Sequence, residues 1–178
     1  IGQTCVDFFG DYDHSRAGPF GDGKIRILVF NIRDEFFYGI FGVGFVMGYY
    51  WYYVSDLNNA NIIHIDTWQW YRRQGPTPDG GVGCPYIAVP YEPQYLLPYQ
   101  YEGTCAHEFQ HLIHRDNDLD ELSWVNEGCS TLAEFICGYG HTTNLFDYIA
   151  YFWSTSLVIW YNNLENEGVV YLWTLYMY

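Results

Sequence analysis

The sequence is dominated by one stretch, Thr104–His114, which reads TCAHEFQHLIH. It contains the pattern HExxH, and residues four apart lie one turn apart on the same face of an α-helix. His107 and His111 can therefore direct two imidazoles at one metal ion, with Glu108 beside them as a base for an attacking water. The pattern favours zinc, which takes three protein ligands in catalytic sites and leaves one position open.

A pattern as short as HExxH also recurs by chance, and the alternative is a helix with two ordinary histidines. The residues that flank the pattern, Cys105, Ala106, Leu112 and Ile113, are apolar. They predict a buried helix, and buried imidazoles need polar partners. The metal-binding interpretation is therefore favoured over the alternative.

A second segment, Trp124–Glu134 (WVNEGCSTLAE), contains the candidates for a third ligand. Glu127 follows His111 by 16 residues, which is long enough for a turn and a returning helix. Its carboxylate would complete a set of two histidines and one glutamate. Glu134 is the competitor, because it lies on the same predicted helix face two turns later. We favour Glu127 as the ligand and Glu134 as a carboxylate that orients an imidazole.

His114 also lies on the ligand face of the predicted helix, seven residues after His107. Seven residues correspond to about 10 Å along a straight helix, which makes three ligands from this one helix implausible. The longer pattern HExxHxxGxxH is absent, since its last two fixed positions hold His114 and Asn117. We therefore predict that His114 packs near the site or supports one of its ligands.

Composition limits the classes of function that this chain can have. Its 178 residues are 49 % hydrophobic and 21 % aromatic, so we expect one domain, 1–178, with a sizeable core. The formal net charge is −14 and the only lysine is Lys24, which disfavours nucleic acid and anionic membranes as partners. The sequence contains no run of about 18 or more uncharged apolar residues, so we predict no membrane span.

The segments before the HExxH helix predict a small sheet. Lys24–Ile32 is rich in β-branched residues and predicts a central strand, and Asn61–Asp66 predicts a second strand. We expect His64, inside that second strand, to be packed or hydrogen-bonded rather than a ligand. Ile1–Asp22 is predicted to be loop-rich, and Tyr49–Val54 is strand-like.

The segment Arg72–Gly103 is the least regular part of the sequence, because it holds six of the seven prolines. A structureless segment of this length is uncommon unless it is functional. Tyr86–Val89 within it is a candidate edge strand, to which an extended peptide could add. The alternative is a surface excursion without contact to a substrate.

The segments after the HExxH helix predict helices, which makes the fold class α+β. The first runs to about Ile136 with Ser123 or Asn126 as its cap, and glycines at 138 and 140 end it. Leu145–Tyr161 and Val169–Tyr178 are apolar nearly all round and predict two buried helices. Residues 1–103 would form the sheet part, and 104–178 the zinc helix and a mostly helical part.

The five cysteines leave at least one without an internal partner. Cys84 with Cys105 is a plausible bridge, and free buried cysteines are the alternative. Cys129 and Cys137 would be about 12 Å apart along one helix, too far to bridge each other.

Two further expectations concern calcium and the chain ends. The acidic turn Asp116–Asp120, with Glu121 close by, is a candidate calcium site, with a solvated loop as the default. The chain begins at Ile1 rather than Met and stops inside an apolar run, so we expect a fragment or a mature chain with missing ends.

The HEFQHLIH stretch followed by WVNEG resembles the gluzincin group of zinc peptidases. The segment WVNEGCSTLAE is similar to the WLNEGFA-type segment of aminopeptidases in that group. The whole arrangement is closer to secreted hyicolysin-like and immune-inhibitor-A-like peptidases of bacteria and archaea, over about residues 24–178. The matching pieces are Gly48-Tyr49-Tyr50, Asn61–Asp66, Ala106–His114, Trp124–Glu134 and Tyr171–Tyr176.

This resemblance implies a zincin-like fold, with zinc held by His107, His111 and Glu127 and with Glu108 as the general base. It also implies a secreted endopeptidase that acts on peptides or proteins. An aminopeptidase ranks lower, because the GxMEN-type segment that binds a substrate's amine is absent. A zinc-binding domain without catalysis, serving adhesion or assembly, is the other alternative.

The group that would stabilise the oxyanion is left open by the resemblance. In the thermolysin branch a tyrosine lies between the second histidine and the glutamate, and none occurs between Leu112 and Asn126. His141, a tyrosine of the C-terminal segment, or residues beyond Tyr178 are the alternatives.

Overall fold

A computed structural model of the chain describes residues 1–32, 46–67, 99–161 and 163–178. The described residues form six α-helices and a three-stranded mixed sheet, so the predicted α+β class is confirmed. The predictions for Arg72–Pro98, which include the candidate strand Tyr86–Val89 and the bridge from Cys84, lie outside the described residues.

The elements are named here in chain order. They are α1 (Gly2–Phe9), β1 (Arg26–Phe30), β2 (Gly48–Tyr50), α2 (Tyr52–Asn58), β3 (Ile62–Asp66), α3 (Gln100–Asn117), α4 (Ser123–Ile136), α5 (Asn144–Tyr151), a 3₁₀ turn (Phe152–Ser154) and α6 (Leu164–Met177). None of the described helices is both long enough and apolar enough to cross a lipid bilayer.

The described sheet has β3 at its centre, in the order β1-β3-β2. β1 pairs with β3 in parallel, and β2 pairs with β3 in antiparallel fashion. All five residues of β3 are buried, and helix α3 packs against both β2 and β3. The prediction of a central strand at Lys24–Ile32 is therefore wrong for the described sheet, because an apolar run does not distinguish a central strand from an edge strand.

Two segments before α3 are helical where the sequence predicts otherwise. The first is α1, in the segment predicted to be loop-rich, and its Cys5 is fully buried in the core against α3. The second is α2, because Tyr52–Val54 continue into a helix rather than a strand. Asn59 adopts the left-handed conformation, with φ 45°, and turns the chain back towards β3. Aromatic residues favour a strand only where a neighbouring strand is available to pair with them.

The core lies where α1, β3, α3 and α4 meet. Helix α3 contributes four buried side chains to it and begins at Gln100, so residues 100–103 of the irregular segment are helical. This burial positions the HExxH helix rigidly against the sheet. The core residues are Cys5, Ile63, Ala106, Phe109, Leu112, Ile113 and Ala133.

Among the helices after α3, α4 packs against α3 and α6, and α6 packs against α5. Helix α5 ends at Tyr151 rather than Tyr161 and has no buried residue, so the prediction of a long buried helix is wrong. Helix α6 buries only one face: Tyr171 is inaccessible, whereas Tyr176 is 86 % exposed. The N-cap of α4 is Leu122 without a side-chain hydrogen bond, so the predicted cap is also wrong.

Gly128 lies at a close approach of α4 and α6. A Cβ atom on Gly128 would stand 2.7 Å from Cγ2 of Thr174 and 3.0 Å from the carbonyl oxygen of Val170. The Thr174 hydroxyl also donates to the Gly128 carbonyl oxygen at 2.9 Å. The glycine of the WVNEG segment therefore allows α6 to pack beside the candidate ligand Glu127.

Gly128→Ala is expected to lower the free energy of unfolding by about 1–3 kcal/mol, because the added methyl group overpacks the contact between the helices. Urea denaturation measures this change. Gly2→Ala is the matched control, since no atom lies within 4 Å of its Cβ position. Equal stability of the two variants would contradict the packing explanation.

Candidate metal centre

Three predicted site residues converge where α3 faces α4. Nε2 of His107 lies 3.2 Å from Oε2 of Glu127, and Nε2 of His111 lies 3.5 Å from the same oxygen. One ligand atom from each of the three residues can be chosen so that all lie within 4.8 Å of one another. Among the described residues this is the one such group of His, Cys, Asp or Glu side chains. The group can hold a metal ion.

The other ring nitrogen of each histidine is held by α4. Nδ1 of His107 lies 2.9 Å from Oε1 of Glu134. Nδ1 of His111 lies 2.9 Å from both Oδ1 of Asn126 and Oγ of Ser130. Acceptors at Nδ1 keep the hydrogen on that atom and leave the Nε2 lone pair for a cation. Helix α4 thus supplies Glu127 and also orients both imidazoles.

The contacts of Glu134 separate it from Glu127. Its Oε1 lies against the outer nitrogen of His107 and not beside Nε2, where Glu127 lies. The position of Glu134 is therefore that of an orienting carboxylate, which is the role favoured from the sequence.

His114 lies outside the ligand group, one step further along a hydrogen-bond chain. Nε2 of Gln110 donates to Nδ1 of His114 at 3.1 Å, and Ser130 donates to Oε1 of Gln110. Ser130 in turn contacts His111. His114 therefore reaches the metal ligands only through two intervening side chains.

The separations of the ligand atoms test whether zinc fits this group. Two donors about 2.0–2.1 Å from one zinc ion at a tetrahedral angle are about 3.3–3.4 Å apart. The two separations from Glu127, 3.2 and 3.5 Å, lie on either side of that value, and all three ligand atoms lie within 4.8 Å of one another. Two imidazole nitrogens and one carboxylate oxygen are also donors that zinc accepts. The residues present fit a zinc ion, although the same donors accept other divalent metals.

The electrostatics of the group favour positive charge at its centre. Burial disfavours the charged form of His107, but its hydrogen bonds with Glu127 and Glu134 outweigh burial and raise its pKa well above the usual value. Burial likewise opposes the charged form of Glu127, yet its bonds to the two histidines lower its pKa. Without a metal ion, protonation of the histidines supplies the positive charge at the centre of the group. A metal ion that binds there must displace these protons.

Glu108 lies beside this group and is almost completely buried, with 6 % of its surface exposed. Its carboxylate accepts a hydrogen bond from the backbone N–H of Tyr50 on the edge strand β2. Burial raises the pKa of Glu108, although His111 and His107 oppose this shift. A carboxylate with a raised pKa is a better proton acceptor than an exposed one.

Two cavities adjoin the ligand group. One, of about 530 Å³, is lined by His111 and Glu127 and extends to Arg115 and the acidic turn. The other, of about 490 Å³, is named here the Glu167 cavity; its lining includes His107, Glu108, Glu134, His141, Asn144 and Glu167. A substrate that reaches the ligand group therefore has room on both sides of it.

His141 lines the Glu167 cavity, and its Nδ1 is hydrogen-bonded to the Tyr171 hydroxyl. The ring of His141 also stacks on Phe135, with centroids 4.6 Å apart. Burial raises the pKa of Tyr171 to about 12, so its hydroxyl stays protonated at neutral pH. Two of the candidates for oxyanion stabilisation, His141 and a tyrosine of the C-terminal segment, therefore form one unit.

The acidic turn does not form a comparable group within the described residues. Asp116 forms an ion pair with Arg16 and accepts the backbone N–H of Asp13 at 2.8 Å. Asp118 accepts the backbone N–H of Asp120 at 3.1 Å. These carboxylates stabilise the loop and the N-terminal segment, and the candidate calcium site gains no support.

His64 is packed and hydrogen-bonded, as predicted. Its ring stacks on Tyr49 with centroids 4.2 Å apart, and its Nδ1 lies 3.2 Å from the Tyr49 carbonyl oxygen. Burial lowers the pKa of His64, so it is a neutral residue of the sheet.

Several polar residues at this site carry no signal that sequence analysis used. Asn126 and Ser130 contact His111 because α4 presents them one turn apart, on the face that also carries Glu127. Their position beside the site could have been predicted from helical periodicity once Glu127 was assigned as a ligand. Glu167 is different, because α6 brings it to the cavity from 40 residues beyond Glu127 and no local pattern marks it.

Glu134→Ala is expected to weaken zinc binding about 10- to 100-fold, because His107 loses the carboxylate that orients its ring. Competition with a chromophoric chelator measures the affinity. Glu165→Ala, on the first turn of α6, removes one carboxylate outside both cavities and is the control. Complete loss of zinc from Glu134→Ala would instead identify Glu134 as a ligand.

Comparisons with protein-family models, with curated proteins and with solved structures find no match for this chain. A function for the chain therefore has to rest on its own side chains and their geometry.

Proposed function

We propose that this chain is a zinc-dependent peptidase with a zincin-like fold, and that it acts as a secreted endopeptidase. The observation that carries the proposal is the placement of Glu108, a buried carboxylate, beside three converging ligand side chains. The resemblance of the HExxH and WVNEG segments to gluzincins points to the same chemistry and to secretion. Peptides or proteins are the proposed substrates.

His107, His111 and Glu127 would hold the zinc ion. Bound zinc supplies a Lewis acid, which makes a water more acidic and stabilises negative charge on a carbonyl oxygen. Glu134, Asn126 and Ser130 keep the two imidazoles in the orientation that binding requires. These residues are held by two helices of the core, so the ligand set is preorganised.

Glu108 is the proposed general base. Its carboxylate takes a proton from the attacking water and later gives that proton to the leaving amine. The hydrogen bond from the Tyr50 backbone fixes the carboxylate, and burial raises its pKa towards the range in which both transfers are possible. Because Tyr50 belongs to β2, the base is positioned by the edge of the sheet.

The strand β2 is the proposed seat for an extended substrate. In an antiparallel pair, the backbone groups of alternate residues point towards and away from the partner strand. The Met47 carbonyl oxygen accepts the Asp66 N–H at 2.8 Å, so the Gly48 backbone groups point to the opposite edge. Gly48 also lines the Glu167 cavity, and a peptide chain added there would pass Glu108.

His141 is the proposed donor to the oxyanion. We assign the Tyr171 hydroxyl as the donor to Nδ1 of His141, which places the hydrogen of the neutral imidazole on Nε2. His141 lines the same cavity as Glu108, and the stack on Phe135 holds its ring. An imidazole N–H can stabilise a tetrahedral oxyanion that forms in that cavity.

The test of this function is hydrolysis by the purified chain. We expect cleavage of an internally quenched peptide library with blocked ends, loss of cleavage after dialysis against 1,10-phenanthroline, and recovery with one equivalent of zinc. Metal content is measured on the same samples by mass spectrometry. Bound zinc without cleavage of any peptide would instead support a domain that binds zinc without catalysis.

A further inference from the structure

The Glu167 cavity contains more carboxyl groups than the proposed zinc chemistry uses. Its described lining includes the carboxylates of Glu108, Glu134 and Glu167, and no lysine or arginine lies among the described residues that line it. Together with Glu127 these make four carboxyl groups around one site, and a divalent ion offsets two charges. Burial raises the pKa of Glu167 to about 7, and a cation beside it would favour its charged form. Glu108 and Glu134 have roles in the proposed chemistry, which leaves Glu167 without one.

Glu167 is held firmly in the wall of this cavity. Nδ2 of Asn144 donates a hydrogen bond to its Oε2. The next residue, Gly168, packs so closely on α5 that a Cβ atom there would stand 2.7 Å from Cβ of Tyr148. The contact between α5 and α6 thus fixes the backbone beside the carboxylate, and the Asn144 amide fixes its orientation.

Gln100 supplies a further acceptor in the wall of this cavity. Gln100 lines the cavity, and its Oε1 is buried without a hydrogen-bond partner among the described residues. A positively charged group with several N–H hydrogens would match the carboxyl groups of this cavity.

We infer that the Glu167 cavity binds a positively charged group of the substrate, and that Glu167 is the residue that selects it. This inference rests on the proposed peptidase function and names the substrate class for it. The chemistry is that of an ammonium or guanidinium group. Its source is either the free α-amine of a peptide or the side chain of a lysine or arginine, and the first source would make the enzyme an aminopeptidase.

Four hydroxamates separate these sources without requiring turnover, because a hydroxamate binds the metal directly. Lysine hydroxamate carries both amines, and norleucine hydroxamate carries the α-amine alone. Nα-acetyl-lysine hydroxamate carries the side-chain amine alone, and Nα-acetyl-norleucine hydroxamate carries neither. Calorimetry measures their dissociation constants for the zinc-loaded wild type, Glu167→Gln and Glu165→Gln.

We expect the compounds with the selected amine to bind wild type about 10- to 100-fold more tightly than Nα-acetyl-norleucine hydroxamate, the range of one charge-assisted hydrogen bond. Glu167→Gln keeps the shape of the side chain and should abolish that advantage. Glu165→Gln, on the same helix but outside the cavity, should keep it. Tighter binding of norleucine hydroxamate would identify the α-amine as the selected group, and tighter binding of Nα-acetyl-lysine hydroxamate would identify the side-chain amine.

Equal binding of all four compounds to wild type would overturn the inference, and so would an amine preference that survives in Glu167→Gln. Failure of the proposed function is seen separately. A chain that does not bind zinc would bind none of the four compounds, and a chain that binds zinc without catalysis would still report its amine preference by calorimetry.

A second, independent observation concerns two cysteines 132 residues apart. Sγ of Cys5 on α1 lies 3.6 Å from Sγ of Cys137, which follows α4. Cys5 is completely buried among core residues that α1, α3 and α4 contribute. The geometry points to a disulfide between Cys5 and Cys137 in the protein folded under oxidising conditions. Bonded sulfurs are about 2.05 Å apart, so the two sulfurs must approach each other by about 1.5 Å for the bond to form.

The reaction requires a disulfide oxidant such as glutathione disulfide. Each thiol loses one proton and one electron, the sulfur–sulfur bond forms between Cys5 and Cys137, and glutathione disulfide is reduced to two glutathione molecules. Because Cys5 is inaccessible in the folded chain, the exchange would take place during folding. Such a bridge belongs to an oxidising compartment, in agreement with the proposed secretion.

Mass spectrometry of unreduced protein, refolded with a glutathione redox buffer and alkylated in guanidinium chloride, tests the bridge. We expect one peptide pair joined through Cys5 and Cys137, about 2 Da lighter than the two thiols, with Cys129 alkylated. The bridge should raise the midpoint of thermal unfolding by on the order of 10 °C over Cys137→Ser. Alkylation of both Cys5 and Cys137 in the refolded protein would overturn the proposal.

Discussion

Glu127→Ala is expected to empty the metal centre. Wild type should carry about one zinc per chain after purification without added metal, and the variant close to none. Three protein ligands share a binding free energy on the order of 10 kcal/mol, so loss of one, about 3.3 kcal/mol, should weaken binding about 300-fold. Mass spectrometry of the metal content gives the stoichiometry, and competition with a chelator gives the affinity.

The geometry makes this the most informative single substitution at the site. Glu127 is the residue that both histidines approach through Nε2, at 3.2 and 3.5 Å. Glu165→Ala removes the same charge from α6 and should leave the zinc in place. Zinc retained by Glu127→Ala but lost from Glu134→Ala would transfer the ligand role to Glu134. Absence of metal from wild type would rule out the proposed centre altogether.

Glu108→Gln is expected to lower the rate of peptide hydrolysis by about 10²- to 10⁴-fold while zinc stays bound. The amide cannot accept the proton of the attacking water, and general bases contribute a factor of that size. Glutamine has the shape of glutamate, and its Oε1 can still accept the hydrogen bond from the Tyr50 backbone. The change therefore removes the proton acceptor with little effect on packing.

Two measurements on the Glu108→Gln protein separate chemistry from binding. Metal content should equal that of wild type, and dissociation constants of the hydroxamates should change little. Glu102→Gln on the same helix, outside both cavities, is the control for loss of a carboxylate. Hydrolysis at the wild-type rate by Glu108→Gln would show that another group is the base.

Much of the metal centre could be predicted from the sequence because its information is local. His107, Glu108 and His111 belong to one helix, and helical periodicity alone places the two imidazoles on one face. Glu127 could be predicted from the WVNEG segment, which the structure places in α4, the next helix. The distinction between Glu127 and Glu134 was harder, because both lie on one helix face and only the approach of α3 decides which oxygen lies beside Nε2.

The errors in the predicted fold arise where a segment depends on distant partners. Lys24–Ile32 was placed at the centre of a sheet whose described centre is β3, since apolar content does not reveal how many neighbours a strand has. The helix predicted from Leu145 to Tyr161 ends at Tyr151, and its apolar side chains are not buried. Asn166 bonds to the backbone of Ser156 and Tyr161, so irregular structure there is stabilised by α6.

The sequence by itself determined that a helix carries two imidazoles and a carboxylate suited to one ion, because periodicity and residue chemistry are properties of a short stretch. Tertiary structure alone decided that Glu167 lines a cavity beside the candidate ligand group and that Sγ of Cys5 lies 3.6 Å from Sγ of Cys137. Neither residue stands in a local pattern, and each is brought to its partner by the packing of helices far apart in the chain. The packing of α6 on α5 places Glu167, and the packing of α1 on α3 and α4 places Cys5.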